Sequence, residues 1–163
     1  MAMLRVLHVD DDADIRAVVE MALRLDSGIV TRSCGSGAEA LTAAVDWRPD
    51  IIVLDVMMPG MDGPATLAHL RDNPVTSQIP VAFMTARAQS HELERFGALG
   101  AAGIISKPFD PITLGASVRS YVCPPPQDAG VESLRRAVFL RRDDADMVSA
   151  HRAARQNGKS IQG

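Results

Sequence analysis

Four apolar runs in this chain end in a group that can do chemistry. Leu4-Arg5-Val6-Leu7-His8-Val9 leads into Asp10-Asp11-Asp12, and Ile51-Ile52-Val53-Leu54 into Asp55. Ile79–Met84 leads into Thr85, and Ala101–Ile105 into Ser106-Lys107. Singly, each has a plain structural account: a strand-end Asp caps a helix, a strand-end Thr packs, and a Lys before Pro is solvated. Their joint occurrence is harder to explain that way. Clustered carboxylates repel one another unless a cation sits among them. Oxygen-only donors suit Mg²⁺, which keeps several waters and commonly bridges to phosphate. Lys107 adds a positive point charge and Thr85 a hydroxyl, the groups needed to neutralise a phosphoryl group in flight. The chemistry these residue types fit is a carboxylate nucleophile, Asp55, accepting a phosphoryl group in a Mg²⁺ site.

The elements that position these groups follow from the hydrophobic pattern. Ile51–Leu54, four aliphatic residues in a row, reads as a strand buried on both faces, the mark of a parallel sheet covered by helices. Leu4–Val9 is the first strand. Ile15, Val18, Val19, Ala22 and Leu23 then recur at helical spacing, with Asp12 or Asp14 suited to the first turn. Ile29–Cys34 is an edge strand, and Ala38, Leu41, Ala44 and Val45 mark a helix that Ser36 caps and Arg48-Pro49 ends. Leu67 and Leu70 mark the third helix, closed by Asn73-Pro74. Ile79–Met84 is the fourth strand and 90–99 a short helix; Ala101–Ile105 is the fifth strand. Asp110-Pro111 opens a last helix with Leu114, Val118 and Tyr121. Strands alternating with helices predict an α/β fold, a doubly wound parallel sheet of five strands with five helices.

Of the 163 residues, 1–123 form the predicted domain, and 124–163 a Pro-rich linker, a short amphipathic helix and a disordered tail. Val131, Leu134 and Val138 would share one face of that helix, with Arg135, Arg136, Arg141 and Arg142 around it. The domain carries 10 Lys+Arg against 15 Asp+Glu, the extension 7 against 5. A net charge of −3 gives no electrostatic case for nucleic-acid binding, and none is expected. Two cysteines, Cys34 and Cys123, make no disulfide framework and point to a reducing compartment. No apolar stretch is long enough for a signal peptide or a membrane span, so the expected location is cytoplasmic.

In these motifs the chain resembles the receiver domain of two-component response regulators, over residues 4 to about 122. The matching stretches are Val9-Asp10-Asp11, Asp55-Val56-Met57-Met58-Pro59-Gly60-Met61-Asp62-Gly63, Thr85-Ala86 and Lys107-Pro108-Phe109, in order and each at a strand end. The resemblance implies a flavodoxin-like sheet of strand order 2-1-3-4-5. It also implies Asp55 as the phosphoacceptor, taking its phosphoryl group from a histidine kinase or histidine phosphotransfer protein. By the same carry-over, Asp11 and Asp55 ligate Mg²⁺ directly, Met57 through its backbone carbonyl and Asp10 through water, while Thr85 and Lys107 contact the phosphoryl oxygens. Asp12 falls just past the acidic pair, as a spectator or helix-start charge. Met57 and Arg87 occupy positions that tune phosphoryl loss in the family. The chain departs from the family at Ile104, three residues before the Lys, where an aromatic residue usually couples to the switch Thr.

The reading is thus a single-domain regulator of the chemotaxis or phosphorelay type, a signalling phosphoacceptor rather than an enzyme. It would switch the binding of a downstream protein, and its crossover face leaves room for a dimer. Its rivals are a protein-binding pseudo-receiver that is never phosphorylated, an aspartyl-phosphate phosphohydrolase, and a DNA-binding regulator. The hydrolase needs a second acid two residues after the nucleophile, where this chain has Met57. His8 and His69 have no partner at metal spacing, and Trp47 is assigned to packing.

Overall fold

The computed structural model describes residues 2–122; the predicted linker, helix and tail of 124–163 lie outside the described residues. Ten elements alternate along the chain: β1 (Leu4–Val9), α1 (Ala13–Arg24), β2 (Ile29–Cys34), α2 (Gly37–Trp47), β3 (Ile51–Asp55), α3 (Gly63–Asp72), β4 (Val81–Thr85), α4 (Ser90–Ala98), β5 (Gly103–Ser106) and α5 (Leu114–Val122). All strand pairs are parallel, in the order β2-β1-β3-β4-β5.

The period of two along each strand divides the core into two layers. Leu7, Val9, Ile52, Leu54, Val81 and Phe83 face α2, α3 and α4, where Ala40, Ala44, Leu67, Leu70 and Phe96 meet them. Val6, Ile51, Val53, Ala82 and Met84 face the other way, onto Val19, Ala22 and Leu23 of α1 and Leu114 and Val118 of α5. Every residue of β3 and β4 is buried, which is why those runs read as continuous rather than alternating apolar sequence. β2 is one of the two edge strands, with Val30, Arg32 and Ser33 exposed.

Side-chain caps fix where helices begin. Asp12 accepts from the backbone N–H groups of Asp14 and Ile15, Ser36 from that of Glu39, and Asp62 from that of Ala65. Arg71 ties the loops below the sheet together, donating to the carbonyls of Ser77 at 3.1 Å, Ile79 at 2.8 Å and Gly100 at 3.4 Å. The last helix differs from the expectation. Asp110-Pro111 forms a turn and α5 starts at Leu114, because the Asp110 carboxylate accepts from the Ile112 N–H at 2.9 Å and its carbonyl from Leu114 N at 3.1 Å. Pro111 therefore sits in the lead-in rather than in the helix.

His8 is the one discordant core residue of β1. It is 2% exposed, and neither ring nitrogen has a hydrogen-bond partner. Burial lowers its pKa from 6.5 to about 4, with Asp10 opposing that shift and Lys107 and Arg16 adding to it. As pH falls from 6.5 towards 4, the unfolded chain takes up a proton that native His8 refuses, so folding stability is lost across that window. His8→Val removes this loss: its stability advantage over wild type should widen by up to about 3 kcal/mol between the two ends of the window. Chemical denaturation of both proteins in matched buffers checks it, since the carboxylates titrate alike in both and cancel. A gap that does not change with pH contradicts the assignment.

Candidate functional site

β1 and β3 are neighbours, yet the chain leaves β1 towards α1 in one layer and β3 towards α3 in the other. This divergence opens a crevice at the carboxyl ends of the two strands, where ligands bind in open α/β sheets. Asp10 follows β1 and is 1% exposed, Asp55 ends β3 and is 6% exposed, and Asp11 is open to solvent. One carboxylate oxygen from each lies within 4.8 Å of the others.

Local structure holds each acid in place. The Asp10 N–H donates to the Cys34 carbonyl at 3.1 Å, its carbonyl accepts from Arg16 at 2.8 Å, and its Oδ1 accepts from Asp12 N at 2.9 Å. Asp12 itself is engaged as the α1 cap, which makes it the helix-start charge of the acidic run rather than a member of the cluster. The turn after Asp55 is closed by Gly63, whose N–H donates to the Val56 carbonyl at 3.0 Å. A Cβ at Gly63 would stand 2.5 Å from the Asp55 carbonyl oxygen and 2.9 Å from Val56 Cα, so any larger residue would push α3 off the end of β3. Arg16 and Gly63 were not picked out as positioning residues by sequence reasoning. For Gly63 the signal was the Pro59-Gly60-Met61-Asp62-Gly63 turn; for Arg16 it was a basic residue in the first turn after three acids.

Lys107 reaches across the sheet from the end of β5. Its N–H donates to the Thr85 carbonyl at 2.7 Å, and its Nζ donates to Asp10 Oδ2 at 2.9 Å and Asp55 Oδ1 at 3.0 Å. Burial pushes the Asp55 carboxyl up, the Lys107 hydrogen bond pulls it back, and Asp10 pushes it up again, leaving it above the usual carboxylate range. Burial works to lower the Lys107 pKa, but its bonds to Asp10 and Asp55 outweigh that and hold it raised. One ammonium is thus bonded to two carboxylates of a cluster of three, and negative charge remains in excess.

Thr85, 5% exposed, ends β4; its hydroxyl donates to the Arg87 carbonyl and accepts from the Arg87 N–H, both at 3.1 Å. Met57 is 80% exposed beyond Asp55. Ile104 is half-buried against the α2/α3/α4 layer, and its carbonyl accepts from the Tyr121 hydroxyl at 3.2 Å. The Tyr121 ring lies directly on the Cα of Gly103. The aromatic ring beside this strand therefore comes from α5 and not from position 104. His69 is exposed, away from the acids, and Trp47 packs under the guanidinium groups of Arg5 and Arg32, at 4.8 and 5.3 Å from its ring centroid.

This is a doubly wound, flavodoxin-like α/β domain with an acidic crevice at the carboxyl edge of its sheet. The profile of the response regulator receiver domain matches residues 6–119, and the chain belongs to that family. "DNA-binding response regulator MtrA" of Mycobacterium leprae is 36% identical over 163 residues, covering 96% of this chain and 65% of that protein. "Transcriptional regulatory protein PrrA" of Mycobacterium tuberculosis is 40% identical over 118 residues, covering 72% of this chain and 49% of that protein. The chain spans about half to two thirds of the length of these relatives. Among solved structures, the chemotaxis protein CheY4 of Vibrio cholerae superposes with a TM-score of 0.69 at 33% identity, covering 74% of this chain and 99% of that one. No helix among the described residues is long and apolar enough to cross a membrane.

Among the described residues the donor set is three carboxylates, which fits a hard divalent cation. Mg²⁺ added to the protein should raise its unfolding temperature, by the equivalent of about 2.7 kcal/mol at a hundred times its dissociation constant. Asp11→Asn, which takes charge from the solvent-open member, should abolish most of that shift while leaving the metal-free transition unchanged or higher. An equal Mg²⁺ shift in the variant would remove Asp11 from the site.

Proposed function

We propose that this chain is a response regulator receiver whose Asp55 accepts a phosphoryl group, with Mg²⁺ held by Asp10, Asp11, Asp55 and the Met57 backbone carbonyl. The observation that carries this reading is Lys107 bonded to both Asp10 and Asp55, with Asp11 in the same cluster. An Asp55 carboxylate oxygen attacks the phosphorus of a phosphohistidine on a kinase or phosphotransfer protein. The O–P bond forms as the P–N bond breaks, and the electron pair returns to the imidazole nitrogen, which solvent reprotonates. Bound Mg²⁺ supplies electrostatic neutralisation of the phosphoryl oxygens. Lys107 would supply a second positive charge at a site where negative charge is in excess. Met57 stands where a hydrolase would need its second acid, so the acyl phosphate has no general base from that position.

The product adds about 1.5 to 2 negative charges beside Asp10 and Asp11. Thr85 can donate to a phosphoryl oxygen only by giving up the bond its hydroxyl donates to the carbonyl of Arg87, which lies on the lead-in to α4. Phosphorylation thereby biases the surface around α4, β5 and α5 and changes its affinity for a downstream protein partner in the cytoplasm. In this reading the domain, 1–123, carries the switch, and Tyr121 rather than residue 104 contributes the aromatic surface beside β5.

A second reading draws on the printed names of the mycobacterial relatives, one of which is called DNA-binding. Its alignment runs through the extension, which carries 7 Lys+Arg against 5 Asp+Glu. Salt-dependent duplex binding that disappears when residues 124–163 are removed would support that output.

The test uses the full chain, Mg²⁺ and acetyl phosphate, read by intact mass. Wild type should gain one phosphoryl mass, Asp55→Asn none, and Lys107→Ala should be slowed by one to three orders of magnitude, the usual effect of losing one such electrostatic contact. Equal labelling of Asp55→Asn overturns the proposal. No labelling of wild type, with Mg²⁺ binding demonstrated, favours the pseudo-receiver.

A further inference from the structure

We infer that the outer edge of β2 takes an additional strand from a partner protein, an extended segment with an acidic residue placed to meet Arg32. β2 stands at one end of the sheet and pairs only with β1. Parallel pairing turns the backbone groups of alternate residues towards the neighbouring strand. Leu4 N donates to the Gly28 carbonyl at 2.8 Å and Asp10 N to the Cys34 carbonyl at 3.1 Å, so the even-numbered residues of β2 are the ones bonded to β1. Thr31 and Ser33 therefore aim both N–H and C=O away from the sheet, and no backbone group among the described residues pairs with them. The other edge, β5, has four residues, and α5 lays the Tyr121 ring against its Gly103.

The side chains beside this edge specify what can be added. Val30 and Arg32 point to the α2 side of the sheet, as Cys34 does, and stand opposite Arg5 and Leu7 of β1. Val30 is 39% exposed, and Arg32 is exposed as well. The guanidinium groups of Arg32 and Arg5 both lie over Trp47, at 5.3 and 4.8 Å from its ring centroid. No carboxylate pairs with either one among the described residues. Asp50 accepts from the backbone N–H of Arg5 at 2.8 Å and not from its guanidinium. An aromatic ring engages the plane of a guanidinium and leaves its N–H fork free to take a carboxylate through two parallel bonds. In a domain with 15 acids against 10 bases, this edge is positive charge without its counter-charge.

These features set a spacing for the incoming strand. Added antiparallel, it bonds to Thr31 and Ser33. Its residues opposite Val30 and Arg32 then take the non-hydrogen-bonded positions, where cross-strand side chains stand closest. The residue opposite Arg32 comes first along such a segment and the one opposite Val30 two residues later, so the signature is acid–x–apolar. A second copy of this chain fits poorly. In the register that pairs Thr31 with Ser33, Arg32 stands opposite Arg32, and like charges directly opposite are destabilising. The arginine thus deters self-pairing of the edge and selects a partner that brings negative charge. Main-chain bonds supply affinity, and the alternate side chains supply specificity. β2 and β5 are opposite edges of the sheet, so a partner held here leaves the surface around β5 open, and its binding does not rest on phosphorylation of Asp55.

The experiment is amide hydrogen exchange read by NMR in the full chain, with the acetylated, amidated hexapeptide Thr-Thr-Glu-Thr-Val-Thr as probe. With free peptide at about ten times its dissociation constant, exchange at Thr31 and Ser33 should slow about elevenfold, while the Val30 and Arg32 amides, already bonded to β1, keep their rates. N-methylation of the threonine between Glu and Val leaves every side chain in place and should abolish the protection. Lys in place of Glu should weaken binding about fivefold or more, and Arg32→Glu should reverse that preference. Protection that is absent, protection that survives N-methylation, or an unchanged preference in Arg32→Glu overturns the proposal. So does protection that rises with protein concentration before peptide is added, which would assign the edge to a second copy. Duplex DNA held through Arg32 while both amides still exchange freely would assign the guanidinium groups to a phosphate backbone and overturn it too.

Discussion

Everything at the crevice depends on one ion-pair arrangement, the Lys107 ammonium held between Asp10 and Asp55 at 2.9 and 3.0 Å. Both carboxylates are almost fully buried, and a buried charge without a partner costs several kcal/mol. The lysine offsets part of that cost but not all of it, because Asp11 adds a third carboxylate within 4.8 Å. Burial and the neighbouring acid hold Asp55 above the usual carboxylate range in spite of the lysine. The apo site is therefore unstable to its own charge, and relief comes from binding positive charge. In the proposed function, metal affinity and reactivity at Asp55 share that one physical origin.

The fold supplies the placement that this electrostatic arrangement requires. Asp10 and Asp55 come together because β1 and β3 are adjacent while the helices that follow them leave on opposite faces. Lys107 arrives from two strands further along, and its backbone bond to Thr85 links the ends of β4 and β5. Gly63 lets α3 begin in contact with the backbone of Asp55, and the Asp12 cap starts α1 immediately after the acidic pair. Each polar group is thus fixed by a rigid strand end and held by a neighbouring turn, leaving few side-chain freedoms to freeze when a ligand binds.

Most of this was legible in the sequence, for a definite reason. In a parallel sheet buried on both faces, strands are uninterrupted aliphatic runs, and the residue that ends each run is the one that faces the crevice. Asp10, Asp55, Thr85 and Lys107 could be named in this way, together with the cap at Ser36 and, as one of two candidates, that at Asp12; the strand order came only from the family resemblance. Less local features were invisible. The start of α5 was set too early because the Asp110 side chain closes a turn that competes with helix at Pro111. The unpartnered burial of His8 follows from its neighbours across the sheet, and a single histidine in an apolar run does not reveal them. The Tyr121 ring on Gly103 joins residues from β5 and α5 whose spacing encodes no contact. Ile104 marked a departure from the family pattern, but only the fold shows where the aromatic surface is supplied instead.

The central claim is that the carboxylate held by Lys107 at the end of β3 is the nucleophile. Reductive trapping tests it most directly: the full chain is incubated with Mg²⁺ and acetyl phosphate, treated with borohydride, digested, and the peptides are sequenced by mass spectrometry. An acyl phosphate at Asp55 is reduced to homoserine, so the account predicts homoserine at position 55 and at no other aspartate. Homoserine at position 10 or 11, or none in a protein that has gained phosphoryl mass, would contradict it.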